Sequence, residues 1–102
     1  MIRVLATIEL TEGGRDDFLA EFAKIVPLVL KEEGCLEYGP MVDVPTSIGA
    51  QAGIRENAVT VVEKWESIDA LEAHLVAPHM IEYRKKVKEM VAGTELRILK
   101  PA

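Results

Sequence analysis

AVTVVEKW, Ala58 to Trp65, leaves the backbone little choice. Its valines are β-branched and stiff at χ1, which crowds a helix but suits a pleated strand. Val59, Val61, Glu63 and Trp65 share one face of that strand, and Val62 makes the other face apolar too. A strand that is oily on both sides needs cover on both sides. Ile2 to Leu10 makes the same demand. Ile2, Val4, Ala6, Ile8 and Leu10 fall on one face, while Leu5 and Thr7 interrupt the polarity of Arg3 and Glu9 opposite.

The remaining segments supply half of that cover. After the TEGG turn the period becomes helical from Arg15 to about Lys31, with Phe18, Phe22, Ile25, Val26 and Val29 in one stripe. Asp16 and Asp17 suit the positive end of its dipole. Pro27 removes a donor and crowds the carbonyl of Ala23, so a kink is expected there. Gly34 stops the helix, and Cys35 to Val42 reads as a second strand. DVPTSIGAQAGIREN, Asp43 to Asn57, has no sustained period and is expected to be a long, mobile loop that either covers a site or is poorly ordered. Ser67 can cap a short helix from Ile68 to about Val76. Ala77 precedes proline and is pushed from helical angles, and Pro78 suits the first position of a new helix to about Val91, striped by Met80, Tyr83, Val87 and Met90. Gly93 closes it before a last strand, Thr94 to Leu99.

The order strand, helix, strand, strand, helix pair, strand predicts an α+β fold: a ferredoxin-like four-stranded antiparallel sheet with helices on one face. One helix layer covers one face only. A second subunit covering the other is expected, hence a homodimer.

The 102 residues support a single domain, 1–102. A net charge of −5 excludes a phosphate-neutralising surface, so no nucleic-acid partner is expected. The basic run Arg84-Lys85-Lys86 with Lys88 is flanked by Glu82 and Glu89 and reads as a solvated helix face. With one cysteine, Cys35, no intrachain disulfide can form, and that residue reads as a small buried side chain rather than a nucleophile. No signal peptide or long apolar run is present, so the expectation is a cytoplasmic protein with no membrane partner.

Three segments, EEGCLEY (Glu32 to Tyr38), VVEKWES (Val61 to Ser67) and HLVAPHM (His74 to Met80), together with the strand order, resemble the antibiotic biosynthesis monooxygenase domain family. The resemblance implies a dimeric α+β barrel. That family holds cofactor-independent monooxygenases of quinols and polyketide anthrones, haem-degrading enzymes and an isomerase of a phosphorylated signalling sugar, so membership alone does not fix the reaction. The haem-degrading branch fits least: its asparagine, tryptophan and ligand histidine would fall near Ala6, His74 and Arg84. The anthrone oxygenases share Trp65, but their asparagine four residues earlier is Val61. The isomerase is similar in the EEG turn and the histidine spacing around proline. The resemblance favours a monooxygenase of a small quinol-like or phenolic substrate, without cofactor; an isomerase or a non-catalytic ligand-binding module are the alternatives.

His74 and His79, the only histidines, are five residues apart across Pro78. Two metal ligands on one helix need a spacing of three or four, and no cysteine or carboxylate cluster accompanies them, so no metal is expected. His79 falls in the first turn of a helix, whereas His74 sits beside the apolar positions Leu71 and Leu75 and is placed to point inward. Glu63 lies on the most apolar strand, where an unpaired carboxylate is costly. Its expected partner is a histidine, or else an arginine or backbone across the dimer. The candidate catalytic residues are therefore His74, as base, and Glu63. Tyr38, Trp65, His79 and Tyr83 are the candidate substrate contacts, although Tyr83 and Met80 also fit the core stripe.

Overall fold

A computed structural model describes all 102 residues. The elements are β1 (Ile2–Leu10), α1 (Arg15–Leu30), β2 (Cys35–Met41), β3 (Ala58–Trp65), α2 (Ile68–Leu75), α3 (Pro78–Val87) and β4 (Val91–Leu99). The strands form one antiparallel sheet in the order β2-β3-β1-β4, the ferredoxin-like α+β arrangement expected from the sequence. Ala6 pairs with Val61, and Tyr38 with Glu63, so the inward faces of β1, β2 and β3 align. The core joins those faces to Phe18, Phe22, Ile25 and Val29 of α1, Leu71 of α2, and Met80, Tyr83 and Val87 of α3. Phe22 stacks on Tyr38 at 5.5 Å between ring centres and meets Tyr83 edge-on at 5.8 Å. No helix is long and apolar enough to cross a membrane.

Pro27 does not break α1, which runs on to Leu30. The proline costs about 3 kcal/mol. Ile25 and Val29, buried on either side of it, each contribute about 1.5–3 kcal/mol, so packing outweighs the lost bond. The boundary between α3 and β4 departs from the sequence reading. Gly93, expected to close the helix, lies inside the strand, because Glu9 pairs with Gly93 and Leu10 with Val91. A register shift at Glu9/Leu10 and the bond from Thr11 N to Met90 O anchor this end of β4.

Residues 43–57 contain no helix or strand. They are clasped by Asp43, whose carboxylate accepts bonds from Arg55 Nε and Nη2 and from the Arg55 backbone N–H at 2.8–2.9 Å.

Gly34 decides the geometry at the far end of α1. Its φ of +83° is left-handed, and a Cβ there would lie 2.6 Å from Cβ of Ala70 on α2. Its carbonyl accepts the N–H of Glu66 at 2.8 Å. The turn carrying Glu32 is thus held against the turn that starts α2, whose N-cap Ser67 accepts from Ala70 N at 3.1 Å.

Candidate active site

Between the helix-facing side of the sheet and α2 and α3 lies a cavity of about 420 Å³. Its wall is mostly apolar, with Ala6 and Ile8 of β1, Val61 of β3, Val87 of α3 and Leu96 of β4. Into it project Tyr38, Glu63, His74 and Tyr83, four of the six residues singled out from the sequence. No residue of 43–57 lines it, so the long loop does not cover this site.

His74 and His79 come together in a way their spacing does not suggest. α2 ends at Leu75, Ala77 is extended (φ −61°, ψ 140°), and α3 restarts at Pro78. The break swings the two rings onto one acceptor. Oε2 of Glu32 is 2.9 Å from His74 Nδ1 and 2.8 Å from His79 Nε2. That bond makes His74 the Nδ1–H tautomer when neutral, leaving Nε2 with a lone pair. Nε2 has no protein partner, and no buried side-chain nitrogen or oxygen goes unpaired, so Nε2 opens on the cavity. His79 does not reach the cavity. It lines an outer groove with Glu21, Lys24, Glu82 and Lys86 instead.

Glu63 also has a partner other than the one expected. Trp65 Nε1 donates to its Oε1 at 2.9 Å, and neither histidine bonds it. The two residues are on the same face of β3, two positions apart, so the indole N–H reaches back along the strand. The other Glu63 oxygen and the Tyr38 hydroxyl have no protein partner and open on the cavity for the reason given for His74. Trp65 itself is fully buried and absent from the cavity wall. Its ring centre is 4.7 Å from that of His74, so it backs the imidazole from behind. Tyr38 packs edge-on against the same imidazole at 5.4 Å.

Burial sets the proton affinities. It pushes the Glu63 carboxyl up to about 7, with the Trp65 N–H working against the shift and the nearby Glu32 charge adding to it. It holds His74 below its usual range, opposed by the Glu32 carboxylate, so the imidazole is a neutral base near pH 7. Burial and the neighbouring carboxylate Glu63 raise Tyr38, which stays a protonated donor. Cys35 is pushed up to about 11, mainly by burial, which leaves it a poor nucleophile. An acid, a neutral base and a phenol donor converge on one oily chamber. No three or more His, Cys, Asp or Glu side chains are grouped so as to hold a metal ion.

Glu32 is the residue that sequence reasoning missed. It stood in the EEG turn, and the signal lay in Gly34: a left-handed stop two residues later fixes which way that carboxylate faces. Arg84, at the cavity rim and donating to the Leu75 carbonyl, was read only as part of a solvated face.

The sequence profile of the family "Antibiotic biosynthesis monooxygenase" matches residues 1–86. The chain is 46% identical to the probable quinol monooxygenase YgiN of Escherichia coli strain K12, over 99% of this chain and 98% of the relative. Among solved structures it is similar to a conserved protein from Methanosarcina mazei Go1, with a TM-score of 0.83 at 24% identity, covering 99% of this chain and 92% of that one. It is also similar to PA3566 from Pseudomonas aeruginosa, with a TM-score of 0.80 at 21% identity, covering 99% and 93%. At these identities the solved structures speak for the fold.

Proposed function

The chain belongs to the antibiotic biosynthesis monooxygenase family, and from that premise we propose that it oxidises a small quinol with dioxygen, without a cofactor, His74 acting as base. The observation that best supports this reading is the His74 Nε2 lone pair, open to an apolar cavity while Nδ1 is tied to Glu32. The name of the 46%-identical relative points to the same substrate class.

In this scheme His74 takes the proton of one substrate hydroxyl. The resulting anion is electron-rich enough to pass one electron to dioxygen. Radical recombination forms a C–O bond at a ring carbon, and the protonated Glu63 carboxyl delivers its proton to the peroxide oxygen. The ring hydrogen leaves as a proton, the O–O bond breaks and water departs. Hydroquinone and dioxygen thus become hydroxyquinone and water. Tyr38 donates to a substrate oxygen, and the apolar wall keeps bulk water from the anion.

The active species is a cytoplasmic homodimer in this proposal. Leu5 of β1 and Val62 of β3 pair on the uncovered face of the sheet, and Met41 lies 59% exposed on β2. Cys35 is a free thiol, which suits a reducing compartment. Sedimentation at micromolar concentration tests the dimer, and a monomer would remove it.

Oxygen uptake with a panel of hydroquinones, in flavin-free buffer under ¹⁸O₂, tests the reaction. One labelled atom in the product and one in water is the expected result. Proton exchange at a substrate carbon without oxygen uptake would instead favour an isomerase, a reading supported by the two histidines flanking the proline. Ligand retention with neither outcome would reduce the protein to a binding module.

A further inference from the structure

Glu32 offers the same oxygen to two imidazoles that face different surroundings. The His74 side chain is 2% exposed and looks into the cavity, whereas that of His79 is 25% exposed and looks into the outer groove. One carboxylate carries one negative charge, so it compensates one imidazolium well and two poorly. We propose that His79 is the solvent port of the base: it releases a proton to the groove as His74 accepts one from substrate, the two rings trading a single positive charge across Glu32.

The exchange balances. At the start His74 is neutral, protonated on Nδ1, Glu32 is a carboxylate, and His79 is an imidazolium donating from Nε2. The substrate O–H bond breaks and an N–H bond forms at His74 Nε2, while the His79 Nδ1–H bond breaks and that proton passes to water. His79 keeps its Nε2–H bond to Glu32, so the hydrogen bonds of the corner persist. The net charge of the three residues is zero before and after, and no electron moves between them. The imidazolium formed at His74 therefore keeps the Glu32 carboxylate to itself, with no second cation competing for it. Running the same exchange backwards returns His74 to neutrality once its Nε2 proton has passed across the cavity to the Glu63 carboxylate, which restores the acid.

The charged groups facing this corner favour an outward port. Lys24 on α1 and Lys86 on α3 line the groove with His79, together with the carboxylates Glu21 and Glu82. On the cavity side the titratable groups are Glu63 on β3, Tyr38 on β2, Tyr83 and Arg84 on α3, and Lys88 just beyond it. The groove is lined by charged side chains and leaves His79 25% exposed; the cavity wall is mostly apolar.

This inference deepens the monooxygenase reading, and its test is chosen to be separable from it. With only two histidines in the chain, ¹⁵N imidazole resonances can be followed in the full-length protein without substrate. His79→Gln, which keeps a polar side chain in the groove but cannot be charged, should raise the His74 titration midpoint by about one unit, because a competing cation is gone. Glu32→Gln should lower it by about one unit or more. Movement in opposite directions is the signature of charge trading, since loosening of the α2–α3 corner would shift His74 the same way in both variants. A His74 midpoint that is unchanged or lowered in His79→Gln overturns the proposal. If wild-type protein turns over a hydroquinone, His79→Gln should lower kcat several-fold with KM unchanged, and millimolar imidazole should restore it. Loss without rescue assigns His79 a purely structural role and overturns the port. If no hydroquinone is turned over, the function reading falls, and the titration still decides this one.

Discussion

Two carboxylates in this fold clasp basic side chains across long stretches of chain. Asp43 holds Arg55 with three bonds, and its partner is 48% exposed. Glu32 holds His74 and His79 with two bonds to one oxygen, and its inner partner is 2% exposed. The geometry of both is good. What differs is the medium: water screens the first pair, and the second lies against an apolar wall where each charge alters its neighbours' proton affinity. Similar contacts close a loop in one place and fix the tautomer of a cavity-lining imidazole in the other.

The contrast predicts unequal responses. His74→Ala should lower turnover by about 10²–10⁴-fold, the usual worth of a positioned general base, with KM little changed. Steady-state oxygen uptake checks it, and near-normal turnover would move the base elsewhere, with Glu63 next in line. Gly34→Ala should come second. The left-handed backbone costs a non-glycine residue about 1–2 kcal/mol, and the 2.6 Å approach to Ala70 adds overpacking of about 1–3 kcal/mol. Adding Ala70→Gly should restore the packing part and leave the backbone part. If the single variant melts like wild type, the turn is not what holds Glu32 in place.

How much of this was readable beforehand follows from how far each interaction reaches along the chain. β3 was legible because the alternation of Val59, Val61, Glu63 and Trp65 is a local property, and the four-stranded fold followed from such periods. The Trp65–Glu63 bond was equally local, two positions along one face. The alternation alone does not say, however, whether an indole on the same face or a distant histidine satisfies the carboxyl. The Glu32 corner was not legible: its bonds span 42 and 47 residues and depend on a turn pinned by Gly34 to a helix elsewhere in sequence. The end of α3 failed for a related reason. Met90 and Val91 continue the helical stripe, but pairing with β1 satisfies their backbone better than a further turn of helix.

Glu63 sharpens the comparison at an intermediate scale. Its folded carboxyl titrates near 7 against an ordinary 4.5, so between those values the folded chain holds a proton that the unfolded chain has lost. Stability from this residue is fully present at low pH and declines as pH rises from about 4.5 to 7, by about 1–3 kcal/mol. His74 has the opposite slope. Its folded value lies below 6.5, so stability falls as pH drops beneath that. Glu63→Gln keeps an acceptor for the Trp65 N–H and removes only the first slope. Urea unfolding at several pH values between 4.5 and 8 should show the variant gaining on wild type as pH rises. Parallel curves would mean that the carboxyl is not desolvated.

Asp43→Asn should give the smallest effect. Arg55 holds the Asp43 carboxyl down at about 2, against an ordinary 3.8, through hydrogen bonds on the protein surface. The sign is that of a depressed acid: any stabilisation is present above about pH 4 and is lost as pH falls toward 2. Because Arg55 is half in water, the ion pair is screened and its two long partners lose rotamer freedom on pairing. Asparagine keeps a carbonyl that can still accept from Arg55, so the loop should stay closed and turnover should not change. Raising salt should erase what difference in melting remains between variant and wild type, while leaving the Gly34→Ala deficit intact. A fall in turnover, or a melting difference that survives high salt, would tie the clasp to the cavity and end the distinction between the two carboxylates.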